Sequence, residues 1–596
     1  MVFWKERIGK LIEVIGELRF EKSIPIDTYR MNHTDGRYKD VSEMDTSSWD
    51  ELRDNKIWGG HREYFYFETV FTVPSECEGK TLMYTLRTGH EGEWDALNPQ
   101  FLVYVNGKKR MGMDVNHREL ILTENAKAGE SFHIILQAYT GDNNFSILLD
   151  SDVKIFYPQV EKYYYDIKVP YDVARLKNAE DDAYIEIITA LNESLNLVDM
   201  REPFSKEFFD SIEKADKYLD ENFYKKYCGN SKHTVYCTGH THIDLAWLWT
   251  LDTTKDKTVR SFSTVLELMR RYPEYKFMHS QPQEYIYVKE NAPEIYEEIK
   301  ERVKEGRWQP EGGMFVEADC NISSGEALVR QFMYGIDFFK KEFDKPSEML
   351  WLPDVFGYSA ALPQIMKLSN IKYFMTTKIS WSEFNKMPCD TFYWEGIDGS
   401  RILTHFIPAR DYNAVAKEGS AENEHFTTYN GMLNPSQVMG SWQRYSQKHI
   451  NDEVLMSYGW GDGGGGPTFD MLENERRLSK GIPGAPATKQ CLPTEFFHVL
   501  EDKVKDNKYL PMWSGELYLE YHRGTYTSMA RNKRFNRKSE FAYQNMEFLA
   551  EVANRLFGTA YPKKELDEGW TTILRNQFHD ILPGSSIKEV YDESKL

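Results

Sequence analysis
The sequence predicts a multidomain α/β protein. It reads as an antiparallel β-sandwich at the amino end, a parallel α/β barrel in the middle and a helical region at the carboxyl end. Three observations predict this. Short aromatic and β-branched runs broken by Gly, Asn and Asp fill the first part of the chain. Seven short apolar runs then alternate with helical stretches, and apolar residues recur three and four apart through the remainder. A chain of 596 residues has room for roughly three to five domains.

Residues 1–165 carry EYFYFETVFTV, KTLMYTLRTG, QFLVYVNGK, SFHIILQAYTG and FSILLDSDVKIFY, the regular short strands of a sandwich. VYVNGKK reads as a hairpin with an Asn-Gly turn. Residues 166–228 are a helical linker (DDAYIEIITALNESLNLV, KEFFDSIEKADKYLDENFYKKY) that stops at Cys228-Gly229-Asn230. Residues 229–500 alternate TVYCT, KFMHSQ, RWQPEGGMFVE, EMLWLPD, KYFMTTK, RILTHF and EVLMSYG with helical runs. That pattern predicts a parallel barrel of seven or eight units, with an open doubly wound sheet as the competing topology. Residues 501–596 return to helix.

Composition narrows the function. Lys plus Arg number 73 against 93 Asp plus Glu, a formal charge of −20, which excludes nucleic acid as the main partner because phosphate needs a basic surface. Aromatic content is 14%, as in proteins that stack rings on sugars and equally in large sandwich cores. The amino terminus, MVFWKERIGKLIEVIGELRF, lacks the apolar core of a signal peptide, and no apolar run approaches the roughly 18–20 residues of a membrane span. The six cysteines are scattered without a CxxC pair, against a disulfide framework or a cysteine zinc site. A cytoplasmic location is expected.

The chemistry clusters where predicted strands end. The first barrel strand runs into TGHTHIDLAWLWTL, where His242 and Asp244, two apart in extended chain, point the same way. An imidazole and a carboxylate at that end can ligate a divalent ion. A second strand ends at Asp354 in MLWLPDVFGYSAALPQI, either a site carboxylate or a helix cap. A third ends in SYGWGDGGGGPT, where Gly459, Gly461 and Gly464 formally satisfy GxGxxG. Asp462 within the run, Pro467 after it and the missing ribose-binding acid argue against a dinucleotide site. The loop can instead bring backbone close to a ligand while presenting Asp462. In the tail, RNQFHDILPGSS places His579 in a predicted helix.

Together GHTHIDLAWLW, WLPDVFGYSAALPQI, TFYWEGIDGSRILTHF, YGWGDGGGGPT, LYLEYHRGTYTS and FHDILPGSS resemble the class II α-mannosidases, glycoside hydrolase family 38, in their cytosolic and bacterial branch. The resemblance implies a (β/α)7 barrel, a three-helix domain and further carboxyl-terminal β-domains. The sequence stops shortly after His579, so those β-domains are expected to be missing from it. The resemblance further implies that His242, Asp244, Asp354 and His579 bind one divalent metal, zinc first, with cobalt or manganese possible. Asp354 would be the nucleophile and Asp462 the general acid/base of an exo-acting, retaining enzyme. Trp247 would underlie the sugar, and Asp580, Lys378, His522 and Arg523 would contact substrate. The implied partner is a mannose-containing oligosaccharide, with a homo-oligomer possible. Two alternatives remain: a metal-dependent polysaccharide deacetylase, whose usual Asp-Asp and spaced His pairs are not evident at these motifs, and an inactive carbohydrate-binding fragment.

Overall fold
The computed structural model describes residues 3–34, 36, 41, 44–52, 57–87, 98–142, 144–416 and 425–595; the 88–89 end of one predicted run lies outside them. Among the described residues, six strands form an antiparallel sheet in the order Asp50–Leu52, Tyr29–Thr34, Tyr64–Thr72, Ser131–Tyr139, Gln100–Val105, Lys108–Met113. Four more form a second in the order Phe20–Pro25, Asp150–Phe156, Thr81–Arg87, Glu119–Thr123. Phe67, Val103 and Leu136 of the first sheet and Leu82, Tyr84 and Val153 of the second belong to one buried core. The Asn-Gly turn forms as expected: Val105 pairs with Lys108 across Asn106 (φ 50°) and Gly107 (φ 76°), the backbone twist that two-residue hairpins favour.

The first residues are not strand. Ile8, Ile12 and Ile15 recur on one helical face and are buried in helix Trp4–Glu17, which packs on helices Pro158–Arg175 and Asp182–Leu195. After the sandwich strands helix resumes at Pro158 and runs through Lys206–Leu219. All six cysteines are free. No helix among the described residues is long and apolar enough to cross a membrane.

Seven parallel strands build the barrel: Thr234–Gly239, Phe277–His279, Trp308–Pro310, Met349–Trp351, Tyr373–Thr376, Arg401–Phe406 and Glu453–Tyr458. Six lie within runs expected from sequence, and the first overruns TVYCT by one residue, Gly239. Neighbours in space follow chain order, with Gly312 and Leu350 bridging the third and fourth strands and the seventh pairing back on the first. Because the Gly312–Leu350 bridge joins the third strand to the fourth and the seventh returns to the first, the order runs round a ring, against the doubly wound alternative; Ala487–Gln490, not read from sequence, adds a further parallel strand beside the first. Between the sixth and seventh strands no ladder forms among the described residues; there the Leu455 N–H donates to His405 Nε2 at 3.3 Å. Strand Thr391–Glu395, antiparallel to Arg401–Phe406, was not among the strands read from sequence.

The carboxyl-terminal helices Ala530–Phe557, Lys563–Asn576 and Lys588–Glu593 complete the described chain. Leu574, Phe578 and Ile581 enter the same core as Leu352, Phe356 and Leu517 of the barrel. The tail is thus fastened across the ends of the strands, where the candidate site lies.

Candidate active site
The four predicted ligands meet. His242 and Asp244 follow the first barrel strand and Asp354 follows the fourth. His579 does not sit in a helix as the sequence implied. The helix ends at Asn576, Phe578 bridges Ala318, and the His579 N–H donates to the Glu317 carbonyl. All four side chains are buried, and one ligand atom from each lies within 4.8 Å of the others. Donors around a single zinc lie up to about twice a 2.0–2.2 Å bond apart, so small movements would close the set on an ion.

Two further observations fit an ion. His579 Nε2 is buried without a hydrogen-bond partner, yet it lies 3.4 Å from Asp354 Oδ2 and 3.6 Å from Asp244 Oδ1. His579 is also held in the tautomer that leaves Nε2 free for a metal, whereas His242 lies between two carboxylates, with its Nε2 3.0 Å from Asp244 Oδ1. His579 Nδ1–H donates to the Glu317 carbonyl at 2.7 Å, while His242 Nδ1 faces Glu317 Oε2 at 3.1 Å. Glu317 thereby orients both histidines, the recurrent support of metal-binding imidazoles. It is itself fixed by Ser280 Oγ–H (2.6 Å) and by its N–H on Gln281 Oε1 (3.1 Å). Sequence reasoning did not find Glu317. Its signal was its place at the end of the RWQPEGGMFVE run.

Asp354 and Asp462 are driven in opposite directions. Burial would raise the Asp354 pKa, but the Lys378 ammonium, which pairs with Oδ1, and His579 hold it well below the usual carboxylate range. Asp462 is pushed up to about 7 by burial, then by the charges of Asp244 and Asp354. It sits half-buried at the tip of the glycine-rich loop with φ 52°, a backbone region that non-glycine residues rarely occupy. Two donors hold its carboxyl: Tyr429 O–H to Oδ1 at 2.9 Å and Asn430 Nδ2–H to Oδ2 at 3.4 Å. Neither Tyr429 nor Asn430 stands in a motif that pointed to them.

The remaining candidates divide. Trp247 is half-buried on the His242–Asp244 loop, edge-on to Trp249 at 6.0 Å, and its carbonyl accepts from Ile587 N–H at 2.8 Å. Asp580 is buried beside His579, accepts from Ser585 Oγ–H, and is pushed up to about 8 by burial and the Asp244 charge. Lys378 is buried against Asp354, with its ammonium 4.4 Å from the Trp381 ring. His522 packs on Phe356 at 4.5 Å, and its pKa falls to about 4 through burial and the Lys378 charge. Phe356 in turn contacts His579 edge-on at 5.6 Å. Arg523 is exposed and donates to the Glu520 carbonyl at 3.2 Å; among the described residues no contact ties it to the cluster.

An α/β barrel with a buried two-histidine, two-aspartate cluster at the carboxyl ends of its strands defines a barrel protein with a candidate metal site. Comparison with known proteins narrows the class. The signature of the glycosyl hydrolases family 38 N-terminal domain matches residues 232–516, and that of the alpha mannosidase middle domain matches 520–596. The chain belongs to glycoside hydrolase family 38, the class II α-mannosidases. It is 36% identical to "Alpha-mannosidase G" of Dictyostelium discoideum, over 93% of this chain and 49% of that protein. It is 38% identical to human "Alpha-mannosidase 2C1", over 74% of this chain and 40% of that protein. The crystal structure of an alpha-mannosidase from Enterococcus faecalis V583 shares the fold, with a TM-score of 0.52 and 20% identity over 61% of this chain and 40% of that one. The chain spans about half the length of the curated relatives it matches.

Proposed function
We propose that this chain carries the catalytic apparatus of an exo-acting, retaining α-mannosidase that removes terminal α-linked mannose from oligosaccharides. The observation that carries the reading is the opposed pair of carboxyls. Asp354 is kept ionised by Lys378 and His579, while Asp462 is kept toward its protonated form by burial and its acidic neighbours. A retaining glycosidase requires one carboxylate and one carboxylic acid about the scissile bond.

In the first step an Asp354 carboxylate oxygen bonds to the anomeric carbon as the glycosidic bond breaks, and Asp462 gives its proton to the leaving oxygen. The product is a glycosyl ester on Asp354 and an ionised Asp462. In the second step Asp462 takes a proton from water as that water attacks the anomeric carbon, which frees Asp354 and restores the acid. Trp247 offers an aromatic face for the sugar, and Asp580 and Lys378 border it with polar groups. His242, Asp244, Asp354 and His579 would hold one divalent ion, with zinc the first choice for two imidazoles and two carboxylates. Bound there, the ion would supply a Lewis-acidic grip on sugar hydroxyls.

The test is hydrolysis of p-nitrophenyl α-mannoside by the chain, with and without chelator, beside an Asp354→Ala variant. Chelator-sensitive release that the variant abolishes supports the proposal. No release from metal-loaded protein, or full activity in the variant, overturns it. Acetate release from an acetylated sugar would point to a deacetylase instead.

A further inference from the structure
We infer that the amino-terminal sandwich positions the acid/base carboxyl. Gln100, Asn116 and His117 clamp the backbone of the loop that carries Asp462. All three residues lie outside the stretches that match the family.

The loop closes on itself, with Trp460 and Gly466 exchanging both main-chain hydrogen bonds at 2.9 and 2.8 Å and Asp462 at its tip. Three of its carbonyls are then taken by sandwich side chains. Gln100 Nε2–H donates to Gly463 O at 3.3 Å, Asn116 Nδ2–H to Gly464 O at 3.2 Å, and His117 Nε2–H to Pro467 O at 2.9 Å.

Each donor is itself fixed. The Gln100 amide oxygen accepts from Lys257 Nζ (3.1 Å) and from the Arg260 guanidinium, so its nitrogen is the end turned to the loop. His117 Nδ1 faces Asp114 Oδ1 at 3.0 Å, and the same oxygen accepts the main-chain N–H of Asn116 and of His117. Gln100 and His117 are almost wholly buried. Fit as well as bonding matters here. Gly465 has φ 94°, and a Cβ there would lie 2.6 Å from Asp114 Oδ2 and 2.8 Å from His117 Nδ1.

These contacts go to main-chain carbonyls of the loop and act through Asp462, so Gln100, Asn116 and His117 are positioning residues. Their effect is to hold Asp462 in a left-handed conformation that it would otherwise seldom adopt. A poorly placed acid penalises a poor leaving group, which needs its proton, far more than an activated one, which leaves unaided. A general loss of folded protein would instead lower both rates equally.

The inference rests on the mannosidase reading, and the experiment separates the two. In the full chain, the Asn116→Ala, His117→Ala double variant is compared with the parent on 2,4-dinitrophenyl α-mannoside and on an α-linked mannobiose. Bound metal per chain is measured alongside. The loss of kcat/KM on the disaccharide is expected to exceed that on the aryl mannoside by about tenfold or more, at equal metal content. Deuterium uptake by the peptide spanning residues 459–467 reads the same clamp without substrate and is expected to quicken in the variant. Equal losses on both substrates, no loss on either, or unchanged uptake overturns the inference. If the parent chain cleaves no α-mannoside, the mannosidase reading falls and the uptake measurement alone decides the clamp.

Discussion

The Tyr429 hydroxyl donates to Asp462 Oδ1 over 2.9 Å while its ring lies edge-on to His242, centroids 5.3 Å apart. A donor to a carboxyl oxygen favours the ionised form, so Tyr429 opposes the burial that keeps Asp462 protonated. Tyr429→Phe should therefore raise the Asp462 pKa. In its proposed role as the acid, Asp462 would work below its pKa of about 7, and activity should fall as pH rises through that value. The alkaline limb of kcat/KM should move upward in the variant by roughly one pH unit, the worth of one hydrogen bond to a charged group. A limb that stays in place, or moves down, would assign that limb to another group.

Asp462→Asn removes the proton donor with little change of shape. Hydrolysis of an unactivated mannoside should slow by about 10²–10⁴-fold, with a much smaller loss in the first step on a dinitrophenyl mannoside. Single-turnover kinetics on the two substrates provides the comparison. Equal slowing would give Asp462 a binding role.

Glu317→Gln keeps the main-chain carbonyl that orients His579 but replaces the carboxylate facing His242. Metal affinity is expected to fall by roughly 10–100-fold, the usual effect of losing a residue that orients a metal ligand. Competition with a chromogenic chelator reads this without any assay of turnover. Unaltered affinity would remove Glu317 from that role.

Arg477 joins helix Pro158–Arg175 to the barrel helix Phe469–Leu478. It donates to Asp166 Oδ1 at 2.7 Å and to Lys162 O at 2.9 Å, and it pairs with Glu473. Arg477→Ala strands buried carboxylates and should cost about 3–5 kcal/mol, read as a lower urea midpoint at pH 7. Asp166 has its pKa lowered to about 2: burial would raise it, but the charges of Arg477 and Lys162 and the hydrogen bond with Asp216 together outweigh burial. The stability it contributes is complete above the ordinary value of about 4 and disappears as pH falls toward 2. The gap between variant and parent should narrow over that interval. A gap independent of pH would place the loss in packing.

Periodicity and turn chemistry exposed most of the architecture. The seven barrel strands are short apolar runs bounded by helical ones, and Asn106-Gly107 could hardly avoid a tight turn. The four ligands stood out because each follows a strand or carries a recognisable motif. Glu317 and Tyr429 did not, for a physical reason: their roles depend on what the fold brings opposite them, and the only local signal was the place of Glu317 at the end of a strand run. The sandwich contacts through Gln100 and His117 are hidden likewise, since surface loops with polar tips usually face water. The apolar period of helix Lys563–Asn576 suggests that it continues through His579. Main-chain pairing of Phe578 with Ala318 ends it sooner.

His579 reaches Glu317 across 262 residues of sequence, and the segment behind it is tied to the first strand's loop through Ile587 and Ser586. A donor set spread this widely along the sequence is assembled only when the segment carrying His579 docks on the barrel. A nascent or clipped barrel that ends before His579 presents only part of the chelate. It should bind a divalent ion more weakly than the barrel with that segment docked.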